Sequence, residues 1–224
     1  MTELILMLTK DDITIADCLS AYEQVRDTDV KWVGFKDIGP GTDTLRELTR
    51  RIHADGRHAV LEVVSEDQQA EMRSVSGGTD LGVDLIMGGT RVRQTAPVSA
   101  RSGISYYPFA GTVQGHPSRL AGTLSDIVAS AKEISSHPDV SGLDLLAYRW
   151  LGDVPELIRQ VVAAVDVPVV VAGSIHAPAR FAAARNGGAW GLTVGTAAVT
   201  GELMPGGSFR DQVNMALQLT MSAS

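Results

Sequence analysis

The stretch 167-VPVVVAGSIHAPARFAAARNGGAWGLTVGTAAV-199 decides the fold. It holds two short apolar runs, Pro168–Gly173 and Trp190–Gly195, separated by a helical pattern that begins near Pro178 and ends at Gly187. Continuous apolar runs, without polar alternation, are the mark of strands buried on both faces, as in a parallel sheet. Each run ends in a small, glycine-containing turn, "AGSI" and "VGTAAV".

The same rhythm extends over the whole chain. Strand-like runs occur at Leu4–Leu8, Lys31–Asp37, His58–Val64, Asp84–Gly89, Ile104–Phe109 and Gly142–Tyr148, which with the first two make eight. Helical patterns lie between them. "ITIADCLSAYEQVRD" sets Ile15, Cys18, Leu19, Tyr22 and Val25 on one face, and "DTLRELTRRIHADG" stops at Gly56. "LSDIVASAKEIS" and "VPELIRQVVAAV" repeat the pattern, the second with Pro155 in its first turn. Eight strand–helix units in 224 residues predict one α/β domain over 1–224, a (β/α)8 (TIM) barrel. The competing doubly wound open sheet usually has five or six strands.

Composition narrows the function classes. A net charge of −7 argues against nucleic acid or an anionic membrane as partner. A single cysteine, Cys18, allows no internal disulfide and suggests a reducing, cytoplasmic location. No His/Cys cluster has zinc spacing, so no metal or organic cofactor is expected. The N-terminal apolar run is too short for a signal peptide, and no run reaches a membrane span.

In a barrel, chemistry belongs at the C-terminal ends of the strands. Glycine turns there let backbone amides approach an anion closely, which makes Gly173, Ser174, Gly195 and Thr196 phosphate-binding candidates. "GVDLIMGGT" (Gly82–Thr90) aligns without a gap on "GAWGLTVGT" (Gly188–Thr196), as half-barrel duplication would produce. Gly89, Thr90 and Arg91 are thereby a candidate second anion site, with Arg93 close by. Charged residues inside apolar strands need partners, so Lys36, Glu62 and Asp144 are expected to pair across the barrel mouth as proton-transfer groups. Arg149 follows the sixth strand, and His116 sits in the longest loop, Ala110–Gly122, read as a lid or binding loop. Lys10 is placed to reach a ligand, whereas Asp11 and Asp12 read as the start of the first helix. His53, His58, His137 and His176 read as solvated or capping residues.

On its "AGSI" and "VGTAAV" turns, the segment Gly142–Val199 resembles the ribulose-phosphate-binding barrel superfamily. That group includes the histidine-pathway phosphoribosyl isomerase, ribulose-phosphate epimerase, N-acetylmannosamine-6-phosphate epimerase and the sugar-phosphate decarboxylases. The resemblance implies that Gly173, Ser174, Gly195 and Thr196 hold a substrate phosphate, and that the partner is a phosphorylated small molecule. It also allows a homodimer, since barrels of this kind often pair. The chain departs from particular members. The isomerase's aspartates at the ends of strands one and five have no inward counterpart in "LMLTK" and "YYPFAG", and the decarboxylase Asp-x-Lys-x-x-Asp is missing from "VLEVVSED". Strand two, "VGFKDIGPG", has a lysine where the furan-forming phosphate synthases show one, although their strand-four lysine is missing from "LIMGGT". The leading expectation is therefore a sugar-phosphate isomerase or epimerase. Glu62 and Asp144 would move the proton in it, and Lys36 and Arg149 would stabilise an oxyanion. The alternatives are a carbon–carbon lyase or aldolase with Lys36 as Schiff-base nucleophile, and a non-catalytic phosphometabolite-binding barrel.

Overall fold

A computed structural model describes residues 2–65 and 67–222 of the chain. Each expected strand forms, the first shifted by one residue and the others shorter at their ends: β1 (Glu3–Met7), β2 (Trp32–Lys36), β3 (His58–Val63), β4 (Leu85–Gly88), β5 (Ser105–Tyr107), β6 (Leu143–Leu145), β7 (Val169–Val171) and β8 (Gly191–Val194). They make one parallel sheet in the order β6-β7-β8-β1-β2-β3-β4-β5. The ring closes between β5 and β6. There the Asp144 amide donates to Pro108 O and the Ala110 amide donates to Asp144 O, both at 2.9 Å. The result is the expected α/β (β/α)8 barrel.

Strand parity sorts the side chains. Ile5, Met7, Val60, Leu85, Met87, Tyr107 and Val170 pack inside the ring, with Trp32 and Trp190 against them. Their neighbours Leu4, Leu6, Val33, Phe35, Leu61, Val63 and Ile86 point outward, into the layer beneath the helices. Successive side chains alternate across a strand. Lys36 and Glu62 therefore share the inward face with Val60, and β2 and β3 hold them in register as direct partners.

Outside the ring run α1 (Cys18–Glu23), α2 (Thr42–Ala54), α3 (Gln68–Leu81), α4 (Val92–Arg101), α5 (Leu124–Ser135), α6 (Val154–Ala164), α7 (Pro178–Asn186), α8 (Thr196–Val199) and α9 (Phe209–Met221). In α6, Leu157, Ile158 and Val161 face the barrel, Pro155 lies in the first turn, and Asp153 caps the Glu156 amide at 3.1 Å. Burying each such apolar side chain contributes about 1.5–3 kcal/mol. Sequence patterning had not singled out α3 and α4. The first carries Gly77 and Gly78, and the second contains Pro97, so neither shows a clean apolar stripe. Among the described residues, no helix is long and apolar enough to cross a membrane.

The segment after β1 differs from expectation. Asp11 and Asp12 do not start α1. They form the turn of a small antiparallel hairpin, Thr9–Lys10 against Ile13–Thr14, with φ of 51° and 63°. Asp tolerates the left-handed region better than most residues, which makes a two-Asp hairpin turn feasible. The loop Ala110–Gly122 is also ordered as a hairpin, Thr112–Gln114 against Arg119–Ala121.

Candidate active site

A cavity of about 770 Å³ opens at the C-terminal ends of the strands. Met7 and Thr193 lie at its floor, with Lys36 and Glu62 on one side and the β7 and β8 turns on the other.

Lys36 is buried, and its Nζ donates to Asp12 Oδ1 at 2.9 Å and to Glu62 Oε1 at 3.0 Å. Burial alone would lower its pKa; the charges of Glu62 and Asp12 outweigh it and hold the pKa above the ordinary lysine value. Lys36 is therefore an ammonium. Asp12, 3% exposed, also accepts both guanidinium nitrogens of Arg149, at 2.5 and 2.7 Å. Burial pushes the Asp12 carboxyl up, but hydrogen bonds from Arg149 and the charge of Lys36 prevail and keep it below the usual carboxylate range. Arg149 shows the complementary balance: burial lowers its pKa, and Asp12 more than restores it.

Asp144 lies on β6 with no exposed surface, and neither carboxyl oxygen has a hydrogen-bond partner. Burial first, and the charge of Glu62 second, push its pKa well above the ordinary value, so it holds a proton to higher pH than a surface aspartate. The expected pairing is thus met by Lys36 and Glu62, with Asp144 unbonded beside them. Asp144 is not on the cavity wall. Any effect it has on a ligand passes through its neighbours.

The hairpin after β5 crosses the mouth as a strap. The Ser118 amide donates to Asp12 Oδ2 at 3.0 Å, and Arg149 donates to Ser118 O at 3.1 Å. Asp12 therefore joins the loops after β1, β5 and β6 and the end of β2 at one carboxylate. Sequence reading missed it because the "KDD" run looked like a helix start. The polar, αL-tolerant pair between Thr9–Lys10 and Ile13–Thr14 was the available hairpin signal. His116 falls in the exposed bend of the strap and does not line the cavity, whereas His176, read as a solvated residue, does.

On the far wall, Gly173 has φ of 87°, and a Cβ there would lie 2.8 Å from Arg149 Cγ. At Gly195 a Cβ would lie 2.7 Å from Thr9 Oγ1 and 3.1 Å from Thr9 O. Both positions require glycine, and both leave bare backbone facing the cavity. Ser174 takes a positive φ of 51°, with its carbonyl accepting from Arg180. The amide of Asp11 donates to Thr196 Oγ1 at 3.2 Å. Thr196 and Ala197 open α8, so their amides precede any acceptor within the helix.

The proposed second anion site is filled from within. The amides of Thr90 and Arg91 donate to Glu71 Oε1 at 3.0 and 2.9 Å, and Arg91 Nη1 reaches Glu71 Oε2 at 2.8 Å. Glu71 is fully buried, and neither Gly89, Thr90 nor Arg91 lines the cavity. The turn after β4 does hold a carboxylate, but it is the chain's own, because α3 places Glu71 directly over the turn. The internal alignment of the two strand ends is also only partly kept in space: Gly89 has φ of 77°, Gly195 of −127°.

No protein-family model matches the sequence, and no curated protein does. Solved structures do. Orotidine 5'-phosphate decarboxylase from Pyrococcus horikoshii superposes with a TM-score of 0.70 at 14% identity, covering 98% of this chain and 100% of that one. N-acetylmannosamine-6-phosphate 2-epimerase from Clostridium perfringens gives 0.64 at 14% identity, over 87% of this chain and 86% of that one. A structure described as native KDPGal gives 0.63 at 16% identity, over 98% and 90%. The likeness extends over most of the chain and is one of fold: the protein is a (β/α)8 barrel of the architecture shared by these structures.

Proposed function

We propose that the protein is an isomerase or epimerase of a phosphorylated sugar or similar small phosphometabolite, working by proton transfer next to a carbonyl. The observation that carries this reading is the Lys36–Glu62 pair, 3.0 Å apart, on the wall of an open cavity. A carboxylate beside an ammonium is a base and an oxyanion partner in one unit. With the phosphate held at Gly173, Ser174, Gly195 and Thr196, Glu62 would take the proton α to the carbonyl. The enediolate oxygen would then face the Lys36 ammonium and the Arg149 guanidinium. Glu62 would return the proton on the same face to the neighbouring carbon, an isomerisation; epimerisation would need a second proton donor on the opposite face. Asp144, whose pKa is raised by burial and by the charge of Glu62, favours its neutral form behind Glu62 and so limits negative charge near the developing enediolate. The structural neighbours support phosphorylated ligands: two of them are named for an orotidine phosphate and an aminosugar phosphate.

Against a Schiff-base role for Lys36 stands its charge. A nucleophilic amine must be free of its proton, and two carboxylates hold this one on. The test is deuterium wash-in: the full chain is incubated in D2O with a panel of ketose and aldose phosphates and read by mass spectrometry. Incorporation of one deuterium next to the carbonyl, lost in Glu62→Gln, is expected. Turnover without wash-in, or a borohydride-trapped adduct on Lys36, would overturn the proposal in favour of a lyase.

A further inference from the structure

The charges around the cavity do not by themselves favour an anion. The Lys36 ammonium is engaged by Asp12 and Glu62, and Arg149 by Asp12. Asp11 and Glu202 add two more carboxylates to the lining. Turn amides facing a phosphate dianion in such surroundings need a cation. Among the described residues one further Lys or Arg lines the cavity: Arg119, on the returning strand of the strap. Its side chain is exposed and, among the described residues, makes no hydrogen bond or ion pair.

The strap that carries Arg119 is also tied to the β8 turn. Ser118, its neighbour, is pinned to Asp12, and the adjacent Asp11 amide is bonded to Thr196 Oγ1. Two hydrogen bonds and one peptide link thus connect the residue before Arg119 with the proposed phosphate turn.

We propose that Arg119 is a ligand-recognition residue which supplies the countercharge to the substrate's phosphate from above. This rests on the phosphate reading of the β7 and β8 turns. A guanidinium fork matches two phosphate oxygens, a geometry that a lysine cannot reproduce. The strap then has a chemical purpose beyond cover: it carries a cation not already engaged by the carboxylates of the mouth.

The experiment is calorimetric titration of the full chain with inorganic phosphate at low and at high salt. Wild type is compared with Arg119→Ala, Arg119→Lys and Thr196→Asp, whose folding is checked by circular dichroism. We expect Arg119→Ala to weaken binding at least tenfold and to flatten its salt dependence, with Arg119→Lys in between and Thr196→Asp abolishing binding. Equal affinity in wild type and Arg119→Ala, with binding still lost in Thr196→Asp, would overturn the role of Arg119 and leave the phosphate turns standing. Weakening by Arg119→Ala without an effect of Thr196→Asp would put the ion elsewhere and overturn the proposal. Absence of phosphate binding to wild type would remove the phosphate reading itself, and the proposal with it.

Discussion

Three carboxylates at the mouth of this barrel have three different electrostatic settings. Asp12 receives hydrogen bonds from two cations and an amide, Glu62 receives one from Lys36, and Asp144 receives none. Removing the proposed base while keeping its shape, in Glu62→Gln, is expected to lower kcat by roughly 10²–10⁴ while leaving phosphate affinity unchanged. Equal losses in kcat and in phosphate affinity, measured by steady-state kinetics and titration, would count against a proton-transfer role. Lys36→Met leaves Asp12 and Glu62 buried without their shared cation. It should destabilise the fold by about 3–5 kcal/mol in urea unfolding, since breaking a buried pair strands its partners. Asp144 can be tested by pH. Its folded pKa is raised, so folding is increasingly disfavoured as pH climbs above the ordinary aspartate value of 3.8 towards the folded one. Over that window wild type should lose about 1.4 kcal/mol per pH unit relative to Asp144→Asn. A stability difference between the two that is independent of pH would mean that Asp144 ionises normally.

The elements that matter most are loops that behave as built parts. The β7 turn needs glycine at 173, where φ is 87° and Arg149 Cγ approaches. Gly173→Ala would cost about 1–2 kcal/mol in backbone strain and displace Arg149 from Asp12. Its expected signature is a lower thermal midpoint together with weakened phosphate binding, and unchanged binding would show that the turn is not part of the ligand wall. The β4 turn is a different case. Its amides and Arg91 are satisfied by the buried Glu71, so Glu71→Ala should destabilise by about 3–5 kcal/mol without altering ligand affinity at the mouth. Glycine-rich strand ends that read alike in sequence therefore differ in use, one open to the cavity and one closed by the protein's own carboxylate.

For the whole molecule, stability couples to ligand and to pH. A phosphorylated ligand at a hundred times its Kd should stabilise the fold by about 2.7 kcal/mol, visible as a rise in thermal midpoint. At the alkaline end, the raised Lys36 pKa means that its stabilising contribution is complete below the ordinary lysine value of 10.5 and is lost as pH rises through the folded value. At the acid end, the depressed Asp12 carboxyl contributes stability above its ordinary 3.8 that disappears as pH falls through its lower folded value.

What the chain determined alone is the architecture and the strand positions that carry charge. Eight continuous apolar runs separated by amphipathic helices leave a closed parallel barrel as the economical burial, and they mark Lys36, Glu62 and Asp144 as charges within apolar strands; which of these face inward is fixed only by the ring. Those signals are local, so they survive without three-dimensional information. The tertiary structure decided which groups meet. Asp12 and Arg149 are 137 residues apart, and Ser118 reaches Asp12 across 106, contacts that exist only once the ring closes and the strap folds over it. Glu71 could not be read as the occupant of the β4 turn either, because only the docking of α3 sets its carboxylate over those amides. Periodicity reports which residues share a face; partners that lie far along the chain are fixed by closure, and closure is where this site acquired its charges.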